Sequence, residues 1–190
     1  AEHEDIIVQY KKDFTKYEKE EKRPYLTKIF DLIPAELNDG NKRFNFADLK
    51  KGLRYSRSEE DFVWLSSAGV ALPVYNVSEP SIPLLLNEKH SLFKLFSSDV
   101  GLLTSQYGKA TKIKLLSDDK EINNGALYEN AVAQELKAHG FNLYYYNSKN
   151  FGELDFVIEY QGKVLPIEVK SGKNYQRHSA LTNVLEISNY

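Results

Sequence analysis

A chain of 190 residues with 42% hydrophobic and 13% aromatic residues can bury a core, as one large domain or two small ones. The absence of cysteine excludes disulfides and thiolate-ligated metals, and it fits a reducing compartment. A formal net charge of −2 excludes a general attraction to nucleic acid, so any contact with DNA must come from a local basic patch or a metal ion.

The sequence has no apolar run long enough to span a membrane, and its N-terminal region is heavily charged. We therefore expect a cytoplasmic protein with no membrane partner. The chain also contains no methionine, not even at its start. For this reason we expect it to be a segment of a longer protein.

Residues 1–108 have the element order of a winged helix, in which three short helices precede a two-stranded ribbon. Apolar residues at helical spacing, with polar turns between them, predict helices within 24–38, 44–56 and 58–69. Strand-forming residues then predict strands at 70–78 and 91–96, on either side of a proline-rich loop. We therefore expect a winged-helix-like helical domain in this part of the chain.

The third predicted helix is a poor candidate for reading DNA, although winged helices often place that helix in the major groove. Residues 59–61 at its start are all acidic, and phosphates would repel them. A contact with protein, or within the chain, is therefore the preferred role. Basic residues on and after the preceding helix leave another mode of docking on DNA open: Lys50, Lys51, Arg54 and Arg57.

A polar stretch at residues 109–124 predicts a linker, and residues 125–190 predict a second domain with the order helix, strand, strand, strand, helix. The predicted strands cover 141–147, 153–160 and 163–170, and the predicted helices cover 125–140 and 176–188. The chain contains neither of the glycine-rich motifs that cradle nucleotide phosphates, so it carries no ATPase motif.

The last two predicted strands form a hairpin if residues 161–162 make a two-residue turn, with glycine supplying the positive φ that such turns require. Cross-strand partners then have residue numbers that add to 323, so Asp155 lies opposite Glu168 and Glu153 lies opposite Lys170. Alternation along the strands predicts a buried apolar face made of Leu154, Phe156, Ile158, Tyr160, Leu165, Ile167 and Val169.

The acids on the other face of this hairpin suggest a metal site. Like charges opposite each other destabilise a sheet by about 0.2–1 kcal/mol at exposed positions, and burial increases the cost. A divalent cation between Asp155 and Glu168 removes the conflict, and oxygen ligands suit Mg²⁺ or Mn²⁺. Lys170 could then hold a water nucleophile or stabilise phosphate charge. The alternative is a solvated sheet face with an ion pair between Glu153 and Lys170.

Glu129 adds a third acid to this hypothesis. It shares the apolar stripe of the predicted helix 125–140 with Val132, Ala133 and Leu136, so its carboxylate needs a partner. The alternative is compensation of the helix dipole, but Glu129 lies about five residues past the predicted cap, where that effect has faded.

The order of these blocks resembles the PD-(D/E)xK nuclease superfamily. More narrowly, the segments LYENAVAQEL, GELDFVIE and PIEVKSG are similar to the C-terminal domain of unknown function that follows the ATPase module in many bacterial AAA-type proteins. The upstream segment FKLFSSDVGLL is similar to that family as well, so the resemblance covers most of the chain.

The resemblance implies roles only for matching positions. Asp155 and Glu168 would be metal ligands, Glu129 an accessory acid of the metal site and Lys170 the catalytic lysine. Leu154 stands where the motif often has proline. The resemblance also implies an upstream ATPase domain, which would bind ATP, and one further strand beyond the end of this chain, so we expect the nuclease-like core to be truncated.

A small basic cluster follows the predicted site. Lys173 and Arg177, together with His178, could contact the phosphates of a nucleic acid. Ordinary surface charge at the start of a helix is the alternative interpretation, and it is slightly preferred.

These observations predict an α/β chain of the α+β type, with a winged-helix-like domain at 1–108, a linker at 109–124 and a PD-(D/E)xK-like domain at 125–190. The first functional hypothesis is a metal-dependent phosphodiesterase that acts on DNA. The second is a catalytically inactive module that engages a protein partner or the ATPase itself. The sequence leaves self-association into a homo-oligomer open.

Overall fold

A computed structural model describes residues 2–17, 23–117, 124–170 and 181–182 of the chain. Its helices are α1 (Glu2–Tyr17), α2 (Arg23–Asn38), α3 (Phe46–Leu49), α4 (Glu59–Ser67), α5 (Val100–Gln106), α6 (Lys109–Leu116) and α7 (Gly125–Ala138). Its strands are β1 (Ala71–Val77), β2 (Glu88–Ser97), β3 (Tyr144–Ser148), β4 (Gly152–Tyr160) and β5 (Lys163–Ile167).

The strands form one five-stranded sheet in the order β2-β1-β3-β4-β5. The pairs β2–β1, β3–β4 and β4–β5 are antiparallel, whereas β1 and β3 are parallel. Helices and a mixed sheet together confirm the predicted α+β class, with about 51% helix and 23% strand among the described residues.

One sheet contains strands from both sides of the predicted linker. The ribbon of β1 and β2 is present as predicted, but β1 also pairs with β3 through Tyr75–Tyr144, Asn76–Tyr145 and Val77–Tyr146. The ribbon is therefore the edge of a larger sheet and does not stand alone as a wing. Within the predicted linker, residues Lys109–Leu116 form helix α6.

The main core lies between the sheet and the helices. The apolar residues that predicted α2 are fully buried: Leu26, Ile29, Phe30 and Ile33. An aromatic group joins the loop before α3 to α4 and β2, since the Phe62 ring centroid lies 4.9 Å from those of Phe44 and Phe93. These aromatic residues are part of the core, as expected for side chains that serve packing.

The helix predicted at 44–56 is shorter in the structure. Only Phe46–Leu49 is α-helical, with the Asn45 side chain accepting from the Ala47 backbone N–H as its cap. Lys50 is extended and Gly52 has φ 78°, so the backbone turns away from helical geometry before a short 3₁₀ turn at Tyr55–Arg57.

A second, smaller apolar cluster consists of Val77, Leu84, Tyr144, Tyr146, Leu154, Val157 and Val164. Most of these residues lie on β1, β3, β4 and β5. The sheet therefore contributes apolar side chains both to the main core and to this smaller cluster. In the described part of the chain, no helix is both long enough and apolar enough to cross a membrane.

Candidate functional site

The hairpin of β4 and β5 has the predicted register. Phe156 pairs with Ile167, and the pairs continue to Tyr160 and Lys163, so the residue numbers of each pair add to 323. The turn residues have positive φ, 50° at Gln161 and 75° at Gly162. The pairing ends at Phe156–Ile167, so the expected opposite pairs further along, including Asp155 with Glu168, lie beyond the paired part of the ladder.

A β-bulge on β4 shifts the alternation of side chains, so the residues before the bulge lie on the opposite face from the predicted one. Tyr144 pairs with Val157 and Tyr146 with Leu154, so two residues of β4 lie opposite the single residue Tyr145 of β3. Leu154 consequently packs with Val157, while Phe156 belongs to the main core. The predicted face that combined Leu154 with Phe156 is therefore wrong, because strict alternation does not hold across a bulge.

Asp155 is one of the two residues in this bulge. Its Oδ2 accepts a hydrogen bond of 2.8 Å from the backbone N–H of Val169, just beyond the end of β5. The Asp155 carboxylate therefore ties the strand end to the bulge. Its charge also acts on Glu129, where it raises the pKa of the glutamate.

Glu129 is buried on α7, as its place on the apolar stripe predicted, with 4% of the residue exposed. Burial is the largest cause that raises the pKa of its carboxyl above the ordinary value, and Asp155 adds to it. The charges of Lys94 and Lys42 lower the same pKa. Lys42 Nζ bonds directly to Glu129 Oε1, so this buried acid has a cationic partner within the chain.

Lys94 is the second cation, and it is fully buried on β2. Its Nζ lies 2.6 Å from Glu153 Oε1 and 5.0 Å from the centre of the Tyr145 ring. Glu153 also accepts from the Asn147 side chain. The ion pair between Glu153 and Lys170, which belonged to the alternative interpretation, is not formed, because Glu153 pairs with Lys94 and Lys170 with Glu168.

Tyr145 lies in the same region, and charges of opposite sign act on the pKa of its hydroxyl. Its pKa is raised to about 12, mainly by burial, with Arg43 lowering it and Glu153 raising it. We use the term ionic cluster for Lys42, Lys94, Glu129, Glu153 and Asp155, which burial and mutual charge connect.

Glu168 and Lys170 pair with each other beside the end of β5. Lys170 Nζ contacts Glu168 Oε1, and the side chains are 36% and 10% exposed, respectively. The other oxygen of Glu168, Oε2, is buried without a hydrogen-bond partner, and the same is true of Oε2 of Glu129. Each of these two acids thus keeps one oxygen that the described residues leave unbonded.

The fit of a divalent cation can be judged from these contacts. Among the described residues, no group of three or more His, Cys, Asp or Glu side chains is placed to hold a metal ion. Lysines already contact Glu129 and Glu168, and Asp155 accepts a hydrogen bond from the backbone N–H of Val169. Each of these contacts uses only one oxygen of its acid, so the metal site at Glu129, Asp155 and Glu168 stays a prediction.

Sequence reasoning missed both lysines of the ionic cluster. Lys94 carried a signal, since it stands alone among apolar residues in the strand segment SLFKLF, where a buried charge needs a partner. Lys42 carried none, because it follows a polar turn and reaches Glu129 across 87 residues of sequence. The predicted nucleic-acid contacts Lys173 and Arg177 lie outside the described residues.

Comparison with known families assigns the two parts of the chain separately. A model described as a domain of unknown function, DUF8612, matches residues 3–113, which is more than half of the chain. The chain belongs to the DUF8612 family. A second model, the domain of unknown function DUF4143, matches residues 124–188 and describes a domain found in AAA-ATPase-associated proteins. No curated protein and no solved structure matches the chain.

The ionic cluster lies where these two matched segments meet. The DUF8612 segment contributes Lys42 and Lys94, whereas the DUF4143 segment contributes Glu129, Glu153 and Asp155. Both ion pairs of the cluster therefore join one segment to the other. The cluster thus combines residues from both matched segments of the chain.

Proposed function

We propose that this chain is a binding and regulatory module of an AAA-type ATPase, which engages a protein partner or the ATPase part of the same protein without cleaving nucleic acid. The link to an AAA-type ATPase rests on the DUF4143 match and on the motifs of the C-terminal segment. The observation that carries the proposal is the engagement of Glu129, Glu153 and Glu168 by lysines of the chain itself.

Charge supports the same conclusion. The ionic cluster contains two lysines and three acids, so one net negative charge remains when all three acids are ionised. Burial raises the pKa of Glu129, which opposes the ionised form of this acid. A divalent cation would therefore leave the cluster positively charged unless a lysine withdrew, and Lys94 is fully buried.

The opposing hypothesis is a phosphodiesterase that acts on DNA with Mg²⁺ or Mn²⁺. Asp155 and Glu168 would be its metal ligands, with Glu129 supporting them and Lys170 contacting the phosphate. One observation favours it, since the described residues offer no hydrogen-bond partner to the buried atoms Glu129 Oε2 and Glu168 Oε2. When bound, the metal would supply an activated water and polarise the phosphate.

Thermal unfolding with and without Mn²⁺ separates the two hypotheses. The native chain is compared with Asp155→Ala and with the matched control Glu135→Ala, which removes an exposed acid of the same helix as Glu129. A bound cation at one hundred times its dissociation constant stabilises a protein by about 2.7 kcal/mol. The regulatory proposal predicts no such shift in any of the three chains and no digestion of DNA.

The contrary result would have a clear form. Mn²⁺ would stabilise the native chain and the Glu135→Ala control but not Asp155→Ala, and DNA would be cleaved only with metal. Loss of that cleavage in Lys170→Ala would then establish the phosphodiesterase hypothesis and overturn the proposal.

A further inference from the structure

A cavity of about 230 Å³ lies at the N-terminal ends of the parallel strands β1 and β3, and none of its lining residues belongs to the ionic cluster. Tyr75 and Tyr144, which are paired across the two strands, contribute to its wall. Glu88 at the start of β2 lines it as well, and the exposed residues Leu85 and Lys137 belong to its boundary. The cavity thus combines aromatic rings with a carboxylate.

Glu88 is the chemically important group of this cavity. Its side chain is only 8% exposed, and its Oε1 lies 2.8 Å from Nδ1 of His90, which is itself largely in solvent. Burial raises the pKa of Glu88, and His90 opposes that effect. Burial is the largest cause that raises the pKa of Tyr144, and the charge of Glu88 is the second. Burial also raises the pKa of Tyr75, and the charge of Glu88 adds to this effect. Glu88 and both tyrosines line the same cavity.

The surroundings of the cavity add further negative charge. Glu59 of α4 raises the pKa of Tyr75, and Glu159 of β4 raises that of Tyr144, after burial in each case. Glu159 Oε1 also accepts the backbone N–H of Leu84 at 2.6 Å, which fixes its charge beside the 3₁₀ turn at Leu84–Asn87. Three carboxylates from three elements thus act on two adjacent tyrosines.

An apolar surface adjoins this acidic cavity. Leu85 and Leu86 on the 3₁₀ turn are 63% and 79% exposed, and Ile82 just before it is 43% exposed. Exposed apolar side chains beside a pocket are typical of surfaces that bind protein segments. The cavity is smaller than the roughly 300–1,000 Å³ of pockets that hold whole small molecules, so it suits a single side chain.

We propose that this cavity binds the guanidinium group of an arginine in a partner protein, with apolar residues of the same partner segment covering Leu85 and Leu86. Charge complementarity with Glu88 and stacking on the tyrosine rings would hold the guanidinium. The proposal rests on the binding role proposed above and names the chemistry of the partner. Lys137, exposed at the boundary, repels this ligand and limits its affinity.

An NMR titration of the ¹⁵N-labelled chain tests this proposal. The probe is the peptide acetyl-Ala-Leu-Arg-Leu-Ala-amide, and the comparison peptide carries citrulline, which keeps the shape but lacks the charge. Amide signals of Tyr75, Tyr144 and Leu85 should shift and saturate with the arginine peptide. The citrulline peptide should bind at least tenfold more weakly.

Variants of the chain locate the site. Glu88→Gln should weaken binding of the arginine peptide at least tenfold, and Leu85→Ser, which alters an exposed side chain, should weaken it several-fold. Lys137→Ala should strengthen it about twofold, because it removes a like charge. Glu79→Gln is the matched control, since Glu79 is an exposed acid outside the cavity lining, and it should leave binding unchanged.

This inference would be overturned if the signals showed no saturable shift, if the two peptides bound equally, or if Glu88→Gln left binding unchanged. Equal affinity for N-acetylarginine amide and for the peptide would also overturn it, because the ligand would then be a free small cation. None of these outcomes depends on Mn²⁺ or on Asp155, so failure here is distinct from failure of the proposed regulatory function.

Discussion

Lys94 on the edge strand β2 forms an ion pair with Glu153 on β4, although β1 and β3 lie between those strands in the sheet. The lysine side chain passes over the Tyr145 ring of β3 to reach the glutamate. Lys94 is fully buried and Glu153 is 26% exposed. If the pair is broken, water can therefore solvate the glutamate more readily than the lysine.

This asymmetry predicts different effects for the two sides of the pair. Glu153→Ala should destabilise the chain by about 3 kcal/mol, because it leaves a buried ammonium without its anion. Lys94→Met should cost less, since water can solvate the remaining glutamate. Urea unfolding measures both. Asp31→Ala breaks the more exposed Lys11–Asp31 pair and should cost less than about 1 kcal/mol. Equal losses for Glu153→Ala and Asp31→Ala would contradict the prediction.

Lys42 should alter the pH dependence of the free energy of unfolding, because its charge lowers the pKa of Glu129. The pKa of Glu129 is raised in the folded chain, so stability falls as pH rises through the range between its unfolded and folded values. Lys42→Met removes a charge that lowers this pKa, so the fall in stability should extend to higher pH and become larger in total. Melting temperatures measured as a function of pH follow this fall. Adding Glu129→Gln should remove the additional loss, and a loss that persists would assign it to another group.

Glu36 on α2 predicts a second pH effect. Its pKa is raised to about 7, chiefly by burial, with a hydrogen bond from the Asn45 N–H opposing this and Asp48 adding to it. The neutral acid is therefore favoured in the folded chain, and stability is lost between about pH 4.5 and 7.

Glu36→Gln keeps an acceptor for Asn45 and should abolish that loss. A shift of one pKa unit corresponds to about 1.4 kcal/mol, so the gain at pH 8 should be about 1–3 kcal/mol. Chemical unfolding at pH 5 and pH 8 tests this, with Glu135→Gln as an exposed control. An equal gain at both pH values would show that titration of Glu36 is not the cause.

The turn of the β4–β5 hairpin predicts opposite effects at its two positions. Gly162 has φ 75° with no heavy atom within 4 Å of an added Cβ, so Gly162→Ala should cost about 1 kcal/mol from backbone strain alone. Gln161→Asn should stabilise the chain by a few tenths of a kcal/mol, because asparagine adopts positive φ more readily. Urea unfolding separates the two, and equal destabilisation by both would refute this account of the turn.

The parts of the fold that were predictable from sequence depend on local signals. The turn at Gln161-Gly162 fixed the register of the hairpin, because a two-residue loop permits one pairing. Glu129 was predictable as buried from the apolar stripe of its helix. Both inferences use residues that are close together in the sequence.

Other features depend on contacts between distant residues. Nothing in the segment ELDFV marks an additional residue in β4, so the bulge at Asp155 and Phe156 was not predictable. The parallel pairing of β1 with β3 joins residues about seventy positions apart, and no turn sequence indicates it. The partners of the acids were missed for the same reason, since Lys42 and Lys94 come from the other half of the chain.

The parallel pairing of β1 with β3 has a consequence for any attempt to express the two family segments as separate proteins. Each fragment would lose a neighbouring strand and present a row of unsatisfied backbone N–H and C=O groups, at β1 in one and at β3 in the other. Such edges readily pair with strands of other molecules. Fragments cut between the two matched segments would therefore tend to aggregate when alone and to reassociate when mixed.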